Sequence, residues 1–146
     1  MISTPSLDWL ALGPTLALLV AAAAALLASV LVPEFLRRGT AAVIAFAGFV
    51  AAGILGGWLY TEASTAQTVV AGSMSRDRWG ALAAIILAGA GALAVLVSWG
   101  ERRADHAGEY YALLAAAGAG MVFFVTASNL LTLFLGLEWF SSAHMM

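Results

Sequence analysis

The sequence predicts an all-α protein, a polytopic transmembrane helical bundle of four full spans plus a partial fifth, and three observations carry that prediction. Of 146 residues, 63% are hydrophobic and 10% charged. The mean hydropathy is +0.98, well above that of a soluble domain, which is roughly half apolar. The apolar residues gather into stretches of about 20, the length a helix needs to cross about 30 Å of hydrocarbon. One transmembrane domain over residues 1–146 is expected, with spans near 10–32, 40–60, 79–99, 110–127 and 130–146.

The first span has Asp8 as a plausible N-cap and Pro33 as its stop, because proline cannot continue the hydrogen-bond ladder. Pro14 falls early in it, where a missing N–H costs least. The N-terminus MISTPSLDW carries an acid and no base, and the apolar segment behind it is too long for a cleavable signal. It reads as a span. The connections are PEFLRRG (33–39), TEASTAQTVVAGSMSRDR (61–78) and GERRADHAGE (100–109), while only ASN (127–129) joins the last two spans, which must form an antiparallel hairpin.

Arginine pairs near the membrane tend to stay cytoplasmic. All three long connections carry one, so charge alone discriminates weakly; the preferred orientation puts the N-terminus outside and both LRR and ERR inside. The second connection then lies outside, with its Val69–Val70 pair packed on the surface. Trp9, Trp58, Tyr60, Trp79, Trp99, Tyr110 and Tyr111 fall at span ends, as an interfacial aromatic belt requires. Gly53-x-x-x-Gly57, Gly89, Gly91, Gly118 and Gly120 would let helices approach closely in lipid, unless the Ala and Gly content reflects only a compositional bias.

Several functions are excluded. The absence of cysteine removes iron–sulfur ligation, thiolate zinc sites, disulfides and cysteine nucleophiles. Six arginines spread over three connections form no basic patch, so nucleic-acid binding has no support. Neither a P-loop nor a dinucleotide glycine fingerprint occurs in the strand-to-helix context it needs.

The distinctive feature is NLLTLFLGLEWF (129–140), which puts one carboxylic acid, Glu138, inside a run of Leu and Phe. From a helix start near Leu130, a rise of about 1.5 Å per residue sets it roughly 12 Å along, near mid-membrane. An acid there costs about 2.5–3.5 kcal/mol, and each Leu or Phe returns about 0.3–0.6. The segment is therefore marginal alone and needs neighbours. An acid in hydrocarbon is tolerated by taking up a proton or by sitting close to a cation, and a site alternating between the two carries protons. On a helical wheel Glu138 shares its face with Leu131, Phe134, Leu135, Ser141, Ser142 and Met145, and the two serines could bring water to it. The bland reading is an acid that stays protonated and hydrogen-bonds a neighbouring helix.

No lysine exists, and every arginine is expected at an interface, so Glu138 has no intramembrane cation within the sequence. His106, at a span boundary, is more simply a solvated loop residue. Asn129 reads as turn chemistry. His144 lies six positions beyond Glu138 and could face it only loosely.

The stretch HAGEYYALLAAAGAGMVFFVTASNLLTLFLGLEWFS (106–141) closely resembles the antiporter-like membrane subunit N of the proton-pumping NADH:quinone oxidoreductase, respiratory complex I. The EYYALL entry, the ASN-LLTLFLGLE hairpin and the closing acid form a specific combination; earlier spans agree loosely in number and spacing. The resemblance implies that Glu138 is a proton relay paired with a lysine on a later helix. It implies about fourteen spans for the family, so this chain is expected to be an N-terminal, truncated form, inactive alone. It also implies that NADH, flavin, iron–sulfur clusters and quinone are handled by the rest of the complex, with no cofactor in this chain. The expected partners are other membrane subunits and the lipid bilayer, and the expected location is the bacterial inner membrane. A cation/proton antiporter subunit shares the architecture. Unrelated alternatives are a small exporter acting as a dimer, whose key acid usually lies in the first span, and a structural or assembly membrane protein.

Overall fold

The computed structural model describes residues 9–63, 67–69, 74–99 and 107–145. Five helices appear in chain order, with a two-stranded hairpin in the second connection: α1 (Trp9–Leu31), α2 (Glu34–Glu62), β1 (Gln67–Val69), β2 (Met74–Arg76), α3 (Arg78–Ser98), α4 (Ala107–Val125) and α5 (Leu130–Met145). Helices α1 to α4 are each long and apolar enough to cross a membrane, whereas α5, with 16 residues, is shorter. The expected bundle of four spans and a partial fifth is present. Asp8, Arg102, Arg103 and His106, on which parts of the sequence reading fell, lie outside the described residues.

Helices α1 to α4 form a ring in which α1 packs on α2 and α4, and α3 closes the other side against α2 and α4. Helix α2 also meets α4 across the middle, and α5 leans on the outside of α4. The packing inverts that of a soluble protein. Ala25, Ala41, Ala45, Ala52, Ala84, Ala88, Ala115 and Ala119 are buried, while Val30, Ile54, Ile86, Val97 and Leu130 are exposed. Lipid tails are as apolar as leucine, so burying a large side chain between helices brings little. Small residues bring backbones within dispersion range instead.

Larger buried side chains, Tyr111, Leu18 and Phe49 among them, are the exceptions. Phe49 of α2 is 1% exposed, and its ring enters a slot between Gly91 of α3 and Gly118 of α4. A Cβ at Gly91 would overlap the ring, and one at Gly118 would stand 2.6 Å from Phe49 Cε1. Glycine at both positions is thus required by volume. Gly120 and Gly91 mark close approaches as expected, but Gly57 and Gly89 have open space beside them, and a Cβ at Gly53 would make only ordinary contact with Ala88. The Gly53-x-x-x-Gly57 spacing is not a seam. Gly48, not singled out from the sequence, is one, lying directly against Ala21.

Helix α2 begins at Glu34, six residues before the expected start. Pro33 stands at its N-cap, and the Pro33 carbonyl accepts from the amides of Leu36 and Arg37 at 3.0 Å, so the helix starts as soon as the proline allows. Arg37 and Arg38 therefore sit in its first turns rather than in a connection. Their side chains serve helix C-termini, where carbonyls lack intrahelical donors. Arg37 Nε donates to the Val32 carbonyl at 3.4 Å, and Arg38 donates to the Trp99 carbonyl. At the opposite end of the bundle, Arg78 Nε donates to the Ala63 carbonyl at 3.0 Å and lies 5.7 Å over the Tyr60 ring. Trp9, Trp58, Tyr60, Trp79, Trp99 and Tyr110 are exposed near helix ends. Tyr111 is not: it is 2% exposed, with Tyr110 edge-on at 5.3 Å.

The hairpin was not foreseen as strands. Gln67, Thr68 and Val69 pair antiparallel with Arg76, Ser75 and Met74, and Asp77 follows at once as the N-cap of α3, accepting the Gly80 amide at 2.7 Å. A methyl added at Gly91 has nowhere to go, because the Phe49 ring is held on its far side by Gly118. Gly91→Ala should destabilise the bundle by about 1–3 kcal/mol, the usual cost of overpacking. Pairing it with Phe49→Leu should return part of that loss, as read by thermal unfolding in detergent.

Candidate functional site

The C-terminal half of the candidate site is built by a tight turn. Helix α4 ends at Val125, and Thr126 Oγ1 donates back to the carbonyls of Val122 at 3.0 Å and Phe123 at 3.2 Å. Three residues later Asn129 starts α5. Its Oδ1 accepts the Thr132 amide at 2.8 Å and its carbonyl accepts the Leu133 amide at 3.0 Å, so the residue read as turn chemistry is a helix cap.

Glycines then fix how α5 lies on α4. A Cβ at Gly136 would stand 2.9 Å from Phe124 Cα, and a Cβ at Gly120 would stand 3.0 Å from the Phe140 amide nitrogen. Trp139 adds a ring contact with Phe123, centroids 6.0 Å apart, and packs against the core. Gly136 and Phe140 are four residues apart, one above the other on the face turned to α4.

Glu138 lies midway between them, about 200° around the helix from Gly136 at roughly 100° per residue. The α4 contact therefore turns the acid away from the bundle. Its side chain is exposed, beside Leu131, Phe134 and Leu135, which are exposed as well. It is the ninth residue of α5, about 12 Å along the axis. Ser141 and Ser142 come together with it as expected, in an open groove of about 490 Å³ lined also by Phe134, Leu137 and Phe140. Among the described residues, no hydrogen bond or ion pair reaches the Glu138 carboxylate. Arg37, Arg38 and Arg78 are committed to helix-end carbonyls.

The groove thus gathers an acid, two hydroxyls and an aromatic edge on one open face. The His144 side chain falls outside the described residues. Among the described residues, no three His, Cys, Asp or Glu side chains gather where they could hold a metal ion. Sequence inspection placed Glu138 and the serines on one face but missed Gly136, which aims that face. The signal was available, since a glycine two residues before a lone acid leaves the opposite side of the helix bare.

No family model matches the chain. Three curated proteins do. It is 32% identical over 133 residues to NADH-quinone oxidoreductase subunit N of Myxococcus xanthus, covering 90% of this chain and 25% of that protein. It is 44% identical over 72 residues to NADH-quinone oxidoreductase subunit N 1 of Symbiobacterium thermophilum, covering 49% of this chain and 14% of that protein. Over 83 residues it is 34% identical to subunit N 2 of Solibacter usitatus, covering 56% of this chain and 17% of that protein. The chain thus spans a quarter or less of the length of the relatives it matches. Taken with the apolar helical bundle, these matches make the chain, across nine-tenths of its residues, a relative of NADH-quinone oxidoreductase subunit N.

Proposed function

We propose that the chain serves in the membrane part of an NADH:quinone oxidoreductase, within a bacterial inner membrane, and that Glu138 relays protons there. The observation that carries this reading is the placement of Glu138: central on an apolar helix, turned away from its own bundle, and flanked by Ser141 and Ser142. An acid so placed is costly against lipid. It becomes tolerable when another protein segment or a file of water covers the groove.

The chemistry follows from that enclosure. A relay here passes between a carboxyl that carries the proton and one that has handed it on. The serine hydroxyls can accept and donate hydrogen bonds, so they can keep a water within reach of the carboxyl through both states. The cation comes from another segment, since the sequence contains no lysine and the described arginine side chains bond helix ends. Electron transfer from NADH through flavin and iron–sulfur centres to quinone belongs to other subunits of the assembly, and this chain contributes only to the proton path.

Glu138→Gln tests the relay, because the amide keeps the size of the acid and can hydrogen-bond but cannot take up and release a proton. In membrane vesicles with the assembled enzyme, proton uptake per NADH oxidised should fall by about tenfold or more, as expected when a proton-transfer group is lost. Unchanged uptake at normal assembly would reject the relay and leave Glu138 a structural role. The purified chain in liposomes should show no proton flux above background with a trapped pH dye; measurable flux would contradict the need for a covered groove.

A further inference from the structure

We infer that strand β2 is a positioning element for Glu138, holding the α4–α5 turn from which the acid's helix departs; this rests on the relay reading of Glu138. The Ser75 amide donates to the Thr126 carbonyl at 2.8 Å, and Met74 pairs antiparallel with Ala127. Strand β2 is therefore the middle of three segments, with β1 on one edge and the turn on the other. Its anchor is Met74, 1% exposed, in a strand packed beside α1 and α3.

The first turn of α3 holds the same residue from a second side. Asp77, directly after β2, caps α3 through Gly80, and a Cβ at Gly80 would lie 3.5 Å from Thr126 Cγ2. Between Thr126 and the start of α5 stand three residues, of which Ala127 is paired to Met74 and Asn129 caps α5. Little freedom remains in the turn. Glu138 sits about 12 Å beyond the helix start, so a tilt of about 10° at the turn would move it roughly 2 Å. In reactions that depend on orientation, a misplacement of about 1 Å can cost about a hundredfold in rate. The Ser75–Thr126 hydrogen bond, near the start of the helix, thus has leverage on the acid.

The Ser75 amide can be removed selectively. Because it points at Thr126, the Thr68–Ser75 pair is the one that exchanges no hydrogen bonds within the hairpin, so Ser75→Pro deletes the bond to Thr126 and spares the ladder to β1. Ser75→Ala keeps the amide and serves as the conservative rescue. In vesicles with the assembled enzyme, Ser75→Pro should lower proton uptake per NADH oxidised by about two- to tenfold, the population change that one lost hydrogen bond produces. NADH oxidation and enzyme abundance should hold, and Ser75→Ala should behave as the parent. A parallel fall in uptake, oxidation and abundance would show a purely structural strand and overturn the inference.

A covalent staple separates misfolding from misplacement. Met74 and Ala127 form the closely spaced kind of antiparallel pair, about 4.5 Å between Cα atoms, within disulfide reach, and the chain has no cysteine to compete. Adding Met74→Cys and Ala127→Cys to Ser75→Pro should restore the uptake ratio when oxidised and lose it again on reduction. Restored abundance without restored ratio would overturn the inference. A spin label on Leu135→Cys, on the exposed face of α5, reads helix placement without reference to protons. Its depth in the bilayer should shift with Ser75→Pro and return with the staple, and an unshifted label overturns the positioning role whatever Glu138→Gln does.

Discussion

The contact between Gly136 and Phe124 leaves no room for a side chain, and the character of α5 follows from it. With Phe140 resting on Gly120 one turn further on, the helix can present only one face to α4. Everything half a turn away faces outward, including the one acid in its middle. The same residue types with glycine and acid on one face would have produced a carboxyl buried among alanines, with a desolvation cost and no route for a proton. Here backbone proximity on one side and chemical availability on the other are two results of one spacing.

The rest of the bundle works by the same economy of volume. Alanine seams let α1 to α4 close on each other, and the Phe49 ring is admitted to the core only because two other helices give up their Cβ atoms to it. In water such a core would be weak, since it removes little apolar area per residue. Between lipid and protein the comparison is different: what counts is how many atoms meet at contact distance and whether every backbone polar group finds a partner. Among the described residues, Arg37, Arg38 and Arg78 fit that second requirement, each donating to a carbonyl at a helix end.

Much of this was legible in the chain. Hydropathy and length located the four long helices, Pro33 marked the first boundary, and the Leu-rich surroundings of Glu138 identified the acid as unusual. What escaped had a physical reason in each case. The start of α2 came early because nothing after Pro33 opposes a helix, and a pair of arginines reads as loop only when charge is allowed to outweigh propensity. The β-hairpin went unseen because its strands have three residues each, too short for any periodicity to register. Among glycines, sequence spacing could not separate those that make room for a neighbour from those that face open space. Gly57 and Gly91 look alike in one dimension and differ only in what stands opposite.

One further consequence belongs to the shortest link in the bundle. Only Val32 and Pro33 separate α1 from α2, and the three Cα steps from Leu31 to Glu34 reach roughly 10 Å when fully extended. A piston stroke of one helix past the other by a full turn, about 5.4 Å, would use about half of that reach. The first two helices are thus held on a short tether at one end. Larger relative movements are left to the helices joined by longer connections.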